Sequence, residues 1–178
     1  MMAELKEKKA LMIMAERNFR DEELLEPKKI LENREIKVTI ASTSLQNARG
    51  MLGATVKPDI LLSSVEVQDY DVIIFVGGSG ASQYWNDPLA HSIAQKAVQK
   101  DKILGAICIA PVTLANAGVL SGKKATVFSS EISKLEAKGV IYTGKPVQVE
   151  GKIITGEGPQ AAEQFGEAIV KVLENLPE

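Results

Sequence analysis

Residues 103–118 read ILGAICIAPVTLANAG, and this stretch decides the fold. The run 103–107 carries no charge, as a strand covered on both faces does not. Pro111 fits the first turn of a helix, where its missing N–H would be unsatisfied anyway. The helical pattern 112–117 closes at Gly118, a residue suited to ending a helix. Between strand and helix stands Cys108, the only cysteine of the chain. A thiol on such a turn faces the positive end of a helix dipole, which favours thiolate over thiol. A lone cysteine is otherwise a small buried hydrophobe. The turn therefore reads as chemistry only if the rest of the chain supplies a matching site.

Working outward, 72–76 (VIIFV) is a second uncharged run, followed at once by Gly77-Gly78-Ser79-Gly80. Residues 10–15 (ALMIMA) form a third, and 36–41 a further strand with Lys37 and Thr39 alternating. Between them, 21–33 predicts a helix with Leu24, Leu25, Ile30 and Leu31 on one side and charge on the other. The segment 45–57 is ambiguous, with room for a short hairpin before Ile60-Leu61-Leu62. Helices are expected over 91–100, 131–138 (ending at Gly139) and 160–176, and a strand over 125–128. A hairpin joins 147–150 to 153–155 through a type II′ turn at Gly151-Lys152. Strands alternating with helices indicate an α/β fold with a mainly parallel sheet and right-handed crossovers. Ligands collect at the carboxyl ends of such strands. That rule gathers the loops after Ala15, Val76 and Ile107.

Composition narrows the function classes. A chain of 178 residues, 45% apolar and 25% charged, is expected to form one globular domain spanning 1–178 rather than a disordered segment. A net charge of −2 without a basic stripe argues against nucleic acid as a partner. One cysteine leaves no intrachain disulfide and fits a reducing, cytoplasmic location. The start of the chain is charged, and no apolar stretch of signal or membrane-spanning length follows, so no membrane association is expected. One cysteine and one histidine make no zinc set, and neither a metal nor another cofactor is expected.

The loop after Val76 offers main-chain donors. Two consecutive glycines let the chain turn with positive φ and expose N–H groups. With the amide of Ile109 these could stabilise an oxyanion formed by attack of Cys108. The spacing lacks the third glycine of a dinucleotide fingerprint and the Lys-Ser/Thr of a phosphate loop. The loop after Ala15 offers carboxylates: Glu16, Asp21, Glu22, Glu23 and Glu26. Most read as solvated, but one within reach of the thiol could hold or move a proton.

Three segments resemble the ThiJ/PfpI superfamily: FRDEELLEP at 19–27, DVIIFVGGSGA at 71–81 and AICIAPVTLANAGVLSG at 106–122. Residues 156–170 are similar to its terminal Gly-Pro and helix. The resemblance implies a flavodoxin-like three-layer α/β/α sandwich, of the class I glutamine amidotransferase-like kind, with a mainly parallel central sheet and a nucleophile elbow, assembled as a homodimer. It further implies Cys108 as nucleophile, Glu23 as the acid beside it (Glu22 if the loop differs by one residue), and the amides of Gly78 and Ile109 as the oxyanion pocket. Two departures bear on activity. The protease-like branch has a histidine after the cysteine, where Ile109 stands here. Another branch has one beyond the next strand, where Phe128, Ser129 and Ser130 stand. The only histidine, His91, falls on a polar helix face with Gln95 and Gln99 and is expected to be solvated. Glu157 replaces an arginine often found before the terminal Gly-Pro.

Peptidase chemistry is disfavoured, because amide cleavage needs an acid for the leaving nitrogen. The function implied by the resemblance is cysteine chemistry on a small-molecule carbonyl substrate, glyoxalase- or deglycase-like, in stress protection. The alternative is a non-enzymatic redox sensor using the same thiol. A receiver module is opposed by Leu62-Ser63-Ser64, which offers no phosphoacceptor aspartate.

Overall fold

The computed structural model describes residues 5–177. The chain runs β1 (Lys9–Ile13), α1 (Asp21–Asn33), β2 (Lys37–Ser42), β3 (Ala48–Arg49), β4 (Thr55–Val56), β5 (Ile60–Leu61) and β6 (Val72–Phe75). It continues through α2 (Pro88–Gln99), β7 (Ile103–Ile107), α3 (Pro111–Asn116), β8 (Lys124–Ala125), α4 (Ile132–Glu136), β9 (Ile141–Tyr142), β10 (Val147–Glu150), β11 (Ile153–Gly156) and α5 (Ala162–Glu174). Seven strands form one sheet in the order β10-β11-β7-β6-β1-β2-β5. Every neighbouring pair is parallel except the β10–β11 hairpin. The charge-free runs β6 and β7 lie at its centre, buried throughout.

The two sheet faces follow from the period of two along each strand. Leu11, Ile13, Ile73, Phe75, Leu104 and Ala106 pack with α2, α3 and α4. Ala10, Met12, Val72, Ile74, Ile103 and Ile107 pack with Leu24 and Leu31 of α1 and with Phe165, Ile169 and Leu173 of α5. This is the three-layer sandwich, with one core on each face of the sheet. Among the described residues, no helix is long and apolar enough to cross a membrane.

Some boundaries differ from the sequence reading, each for a local reason. α2 starts three residues earlier than the apolar pattern, because the Asp87 side chain accepts from the Ala90 N–H at 3.2 Å and Pro88 occupies the first turn. The hairpin in 45–57 forms as β3–β4, antiparallel. The β10–β11 turn has positive φ at Gly151 (+62°), as its sequence indicated. The strand expected over 125–128 is not continuous. Only Lys124–Ala125 pairs, with β9 in a separate parallel ribbon. Beyond it the Thr126 N–H donates to Thr155 Oγ1 at 2.9 Å and the Phe128 N–H to the Cys108 carbonyl at 2.8 Å. The segment thus leaves its ladder to cross the end of the main sheet.

Helix α1 also departs from a simple two-sided pattern. Leu24 and Leu31 are buried as expected, but Leu25 is exposed, and two acids, Asp21 and Glu23, are buried with them. Its position is fixed against α5 by Gly166, where a Cβ would stand 3.0 Å from Ile30 Cδ1 and 3.1 Å from the Pro27 Cα. Gly166→Val should therefore push α1 off α5 and cost about 1–3 kcal/mol in urea unfolding, as overpacked cores do. Unfolding indistinguishable from wild type would show that the crossing yields freely.

Candidate active site

Cys108 follows the last residue of β7 with φ = +66°, a left-handed conformation. For a residue with a Cβ this costs about 1–2 kcal/mol. Two main-chain bonds hold it there. The Cys108 N–H donates to the Gly156 carbonyl at 2.9 Å, and the Cys108 carbonyl accepts from Phe128. The strand end, β11 and the crossing segment together impose the elbow. The residue is 7% exposed.

Glu23 comes to the same point from α1. It lies on the buried side of the helix, one turn before Pro27, which has no N–H to give to the Glu23 carbonyl. Gly77 is the spacer that permits the approach. A Cβ there would overlap Glu23 Oε1 and stand 2.5 Å from Cys108 Cβ and 2.6 Å from the Ile107 carbonyl oxygen. Gly78 follows with φ = +105°, and a side chain on it would strike the backbone of Asn18, Phe19 and Arg20. The loop after Val76 is thus pressed between the α1 entry and the elbow. The structure brings Cys108, Glu23, Gly78 and Ile109 together. Glu22, the neighbouring candidate, turns instead to Arg20, whose Nε and Nη2 donate to its two carboxyl oxygens at 2.9 and 3.1 Å.

The electrostatics correct one expectation. Burial, and then the Glu23 carboxylate, push the Cys108 thiol up to about 12, outweighing the backbone N–H groups of Gly78 and Ile109 that favour the anion. The following helix has only six residues, and its dipole does not prevail. The unusual group is the carboxyl. Burial raises Glu23 to about 8, with Cys108 hydrogen bonding and the Arg20 charge drawing it back only in part. Among the described residues, neither Glu23 oxygen has a partner at full hydrogen-bond geometry. At neutral pH Glu23 therefore holds its proton, and with it the repulsion that raises the thiol is lifted.

The thiol opens on a cavity of about 410 Å³ lined by Met51, Gly78, Trp85, Ile109, Phe128 and Glu131, among others. Asp21 places the Met51 wall. Its carboxylate accepts from the Leu52 and Ala54 N–H groups at 2.9 and 2.8 Å, which hold it below its ordinary range although burial opposes them. The Ser79 N–H then donates to Met51 Sδ at 3.4 Å. Trp85 is held by Nε1–H donation to the Ile109 carbonyl at 3.0 Å. His91 is not the freely solvated group its helix face suggested. It is half-buried, with Nε2 2.8 Å from the Trp85 carbonyl. A larger cleft of about 770 Å³ adjoins the cavity at Arg20, Phe128 and Pro159 and is lined by Glu22, Glu26, Glu157 and Glu163. Among the described residues, no group of three or more His, Cys, Asp or Glu side chains is placed to hold a metal.

Sequence reasoning passed over Met51, Trp85 and Glu131, and named Asp21 only as one of five candidate carboxylates. Trp85 carried a signal, as the only tryptophan, five residues past the glycine loop. The others look like ordinary surface residues until the chain folds.

Comparison with known proteins places this geometry among relatives. The model of the DJ-1/PfpI family matches residues 8–172. A ThiJ/PfpI domain protein from Brachyspira murdochii superposes with a TM-score of 0.93 at 32% identity, over 98% of this chain and 100% of that one. An uncharacterized protein of Methanocaldococcus jannaschii is 39% identical over 96% of this chain and 84% of its own length. A glutathione-independent glyoxalase of Caenorhabditis elegans is 27% identical over 94% of this chain and 90% of its own. A deglycase of Pyrococcus horikoshii is 28% identical over 92% and 98%.

The Glu23 proton has a measurable consequence. Between its ordinary value of 4.5 and about 8, the folded chain holds a proton that the unfolded chain has released. Stability therefore falls as pH rises through that window. Glu23→Gln should gain on wild type between pH 5 and pH 8.5, by on the order of a few kcal/mol in urea unfolding. A difference that does not change with pH would refute the protonated carboxyl.

Proposed function

The chain belongs to the DJ-1/PfpI family, and from that premise we propose that it is a cysteine-dependent enzyme acting on small reactive carbonyls, glyoxalase- or deglycase-like. The observation that carries this reading is a thiol and two main-chain donors lining one small cavity, with a buried carboxyl that stays protonated at neutral pH packed behind the thiol. The relatives named as a glyoxalase and a deglycase support the same chemistry.

The residues divide the first step between them. Cys108 sulfur attacks the aldehyde carbon, a C–S bond forms, and the carbonyl π pair moves to oxygen. The Gly78 and Ile109 amides receive the developing charge. Glu23 gives its proton to that oxygen through one carboxyl oxygen while the other takes the thiol proton. The product is a hemithioacetal and the carboxyl is unchanged. A thiol whose anion is disfavoured needs such a partner, since the proton must leave sulfur as the bond forms.

The sensor reading is weaker on the same observations. Oxidation by peroxide requires thiolate and access, and this thiol is buried and shifted toward its neutral form. Peptidase chemistry lacks a histidine beside the thiol, because Ile109 follows the cysteine and His91 is engaged at Trp85. A cytoplasmic stress role belongs to the same proposal, as does assembly into a homodimer. Supporting the dimer, Leu25, Met51, Leu52 and Phe128 are exposed apolar side chains, Leu52 at 64%.

Two measurements test the reading. Purified protein should convert methylglyoxal to lactate, and Cys108→Ala should lose at least about 1000-fold in kcat/KM. No turnover by wild type, or equal turnover by both proteins, would end the proposal. Sedimentation at micromolar concentration should give a dimer, and a monomer would remove that part alone.

A further inference from the structure

One step of the carbonyl reaction has no group assigned to it. Once sulfur has added to the aldehyde carbon of an α-oxoaldehyde, the hydrogen on that carbon must leave as a proton and return to the adjacent carbon. Glu23 is occupied at the sulfur and the nascent oxygen. The side chain crossing the sheet end nearby is Phe128, which carries no proton.

The same cavity is lined by Glu131. It is 8% exposed, and it is the only acid among the described residues lining that cavity. Each of its oxygens is separately oriented. Oε1 accepts from Lys134 Nζ at 2.8 Å and Oε2 from Ser130 Oγ at 2.9 Å. Lys134 lies 5.2 Å from the Trp85 ring centroid, and Trp85 Nε1 donates to the Ile109 carbonyl beside the nucleophile. The carboxylate is therefore tied to the elbow through an ammonium and an indole. A carboxylate has about four lone-pair positions, so one donor per oxygen leaves it able to accept a proton. Removing a carboxylate from water costs stability that one exposed lysine does not fully return.

We propose that Glu131 is the acid–base group that carries the carbon-bound proton, positioned by Ser130 and Lys134. This rests on the carbonyl reading above. Glu131 removes the proton from the sulfur-bearing carbon, and the C–H electron pair becomes the double bond of an enediolate. A proton passes from the first oxygen to the second. Glu131 then protonates the second carbon, and the pair left on the first oxygen closes a thioester carbonyl. The first carbon is oxidised and its neighbour reduced, so no outside oxidant is involved. Water cleaves the thioester, releasing a 2-hydroxy acid and the thiol.

The test compares wild type with Glu131→Gln and Ser130→Ala, using methylglyoxal and its aldehyde-deuterated form. Glu131→Gln should lower kcat by about 100-fold. It should leave KM and the rate of Cys108 alkylation within about threefold of wild type. It should also bring out a primary isotope effect on kcat, which a merely structural residue would not. Ser130→Ala, at an exposed position, should retain the fold and lower kcat by about 10-fold with the same isotope signature. Turnover of Glu131→Gln within about threefold of wild type would overturn the proposal while sparing the function of Cys108. Parallel loss of alkylation and turnover would reduce Glu131 to a structural role. Absence of turnover in wild type would remove the carbonyl reading and this inference with it.

Discussion

A carboxyl group buried against a thiol, with no well-formed hydrogen bond to either oxygen among the described residues, is the constraint around which the rest of this protein is arranged. Burying an ionised carboxylate unpaired is prohibitive, so the group becomes neutral instead. Neutrality turns Glu23 from a repelling charge into a donor, and it changes what the neighbouring sulfur can do. Everything close to it serves the contact. Gly77 is absent as a side chain so that the two can meet. The tight α1–α5 crossing at Gly166 fixes the helix that delivers the acid. The strained backbone of Cys108 is held by bonds to Gly156 and Phe128 rather than by its own preference.

The mainly parallel sheet was legible, though not its strand order, because residues 10–15, β6 and β7 are uncharged runs flanked by helical patterns, and parallel strands covered on both faces have that appearance. The turn at Cys108 was legible from the uncharged run before it and Pro111 after it, whereas its role as a nucleophile elbow came from the resemblance, since a lone cysteine is otherwise a small buried hydrophobe. The carboxyl was harder. In DEELLEP three acids occupy the first turn of α1, and helical periodicity alone cannot tell which points inward. The resemblance singled out Glu23, whereas the residues themselves offered five candidates. That Asp21 is buried too could not be read locally, because its partners are amides some thirty residues on, in the β3–β4 hairpin. The walls from Phe128 and Trp85 depend on a segment abandoning its ladder and on a bond to Ile109, neither of which has a local signature.

The thiol expectation failed for an instructive reason. A helix dipole acts over about one turn and is modest at best, whereas the cost of burying a sulfur anion is large and comes first among the causes of the shift. The sequence shows the helix and cannot show the burial. The same asymmetry explains His91, whose polar helix face was evident but whose ring meets a carbonyl supplied by the glycine-loop segment.

The elbow is clamped by main-chain bonds, whereas the mouth of its cavity is built from side chains such as Met51 and Phe128 that are partly open to water. Exchanges at exposed positions generally cost little folding free energy, while changes to a strained, close-packed frame cost much. Descendants of this chain are accordingly free to drift in what they admit without surrendering how they react. Selectivity and reactivity sit on separately heritable parts of the molecule.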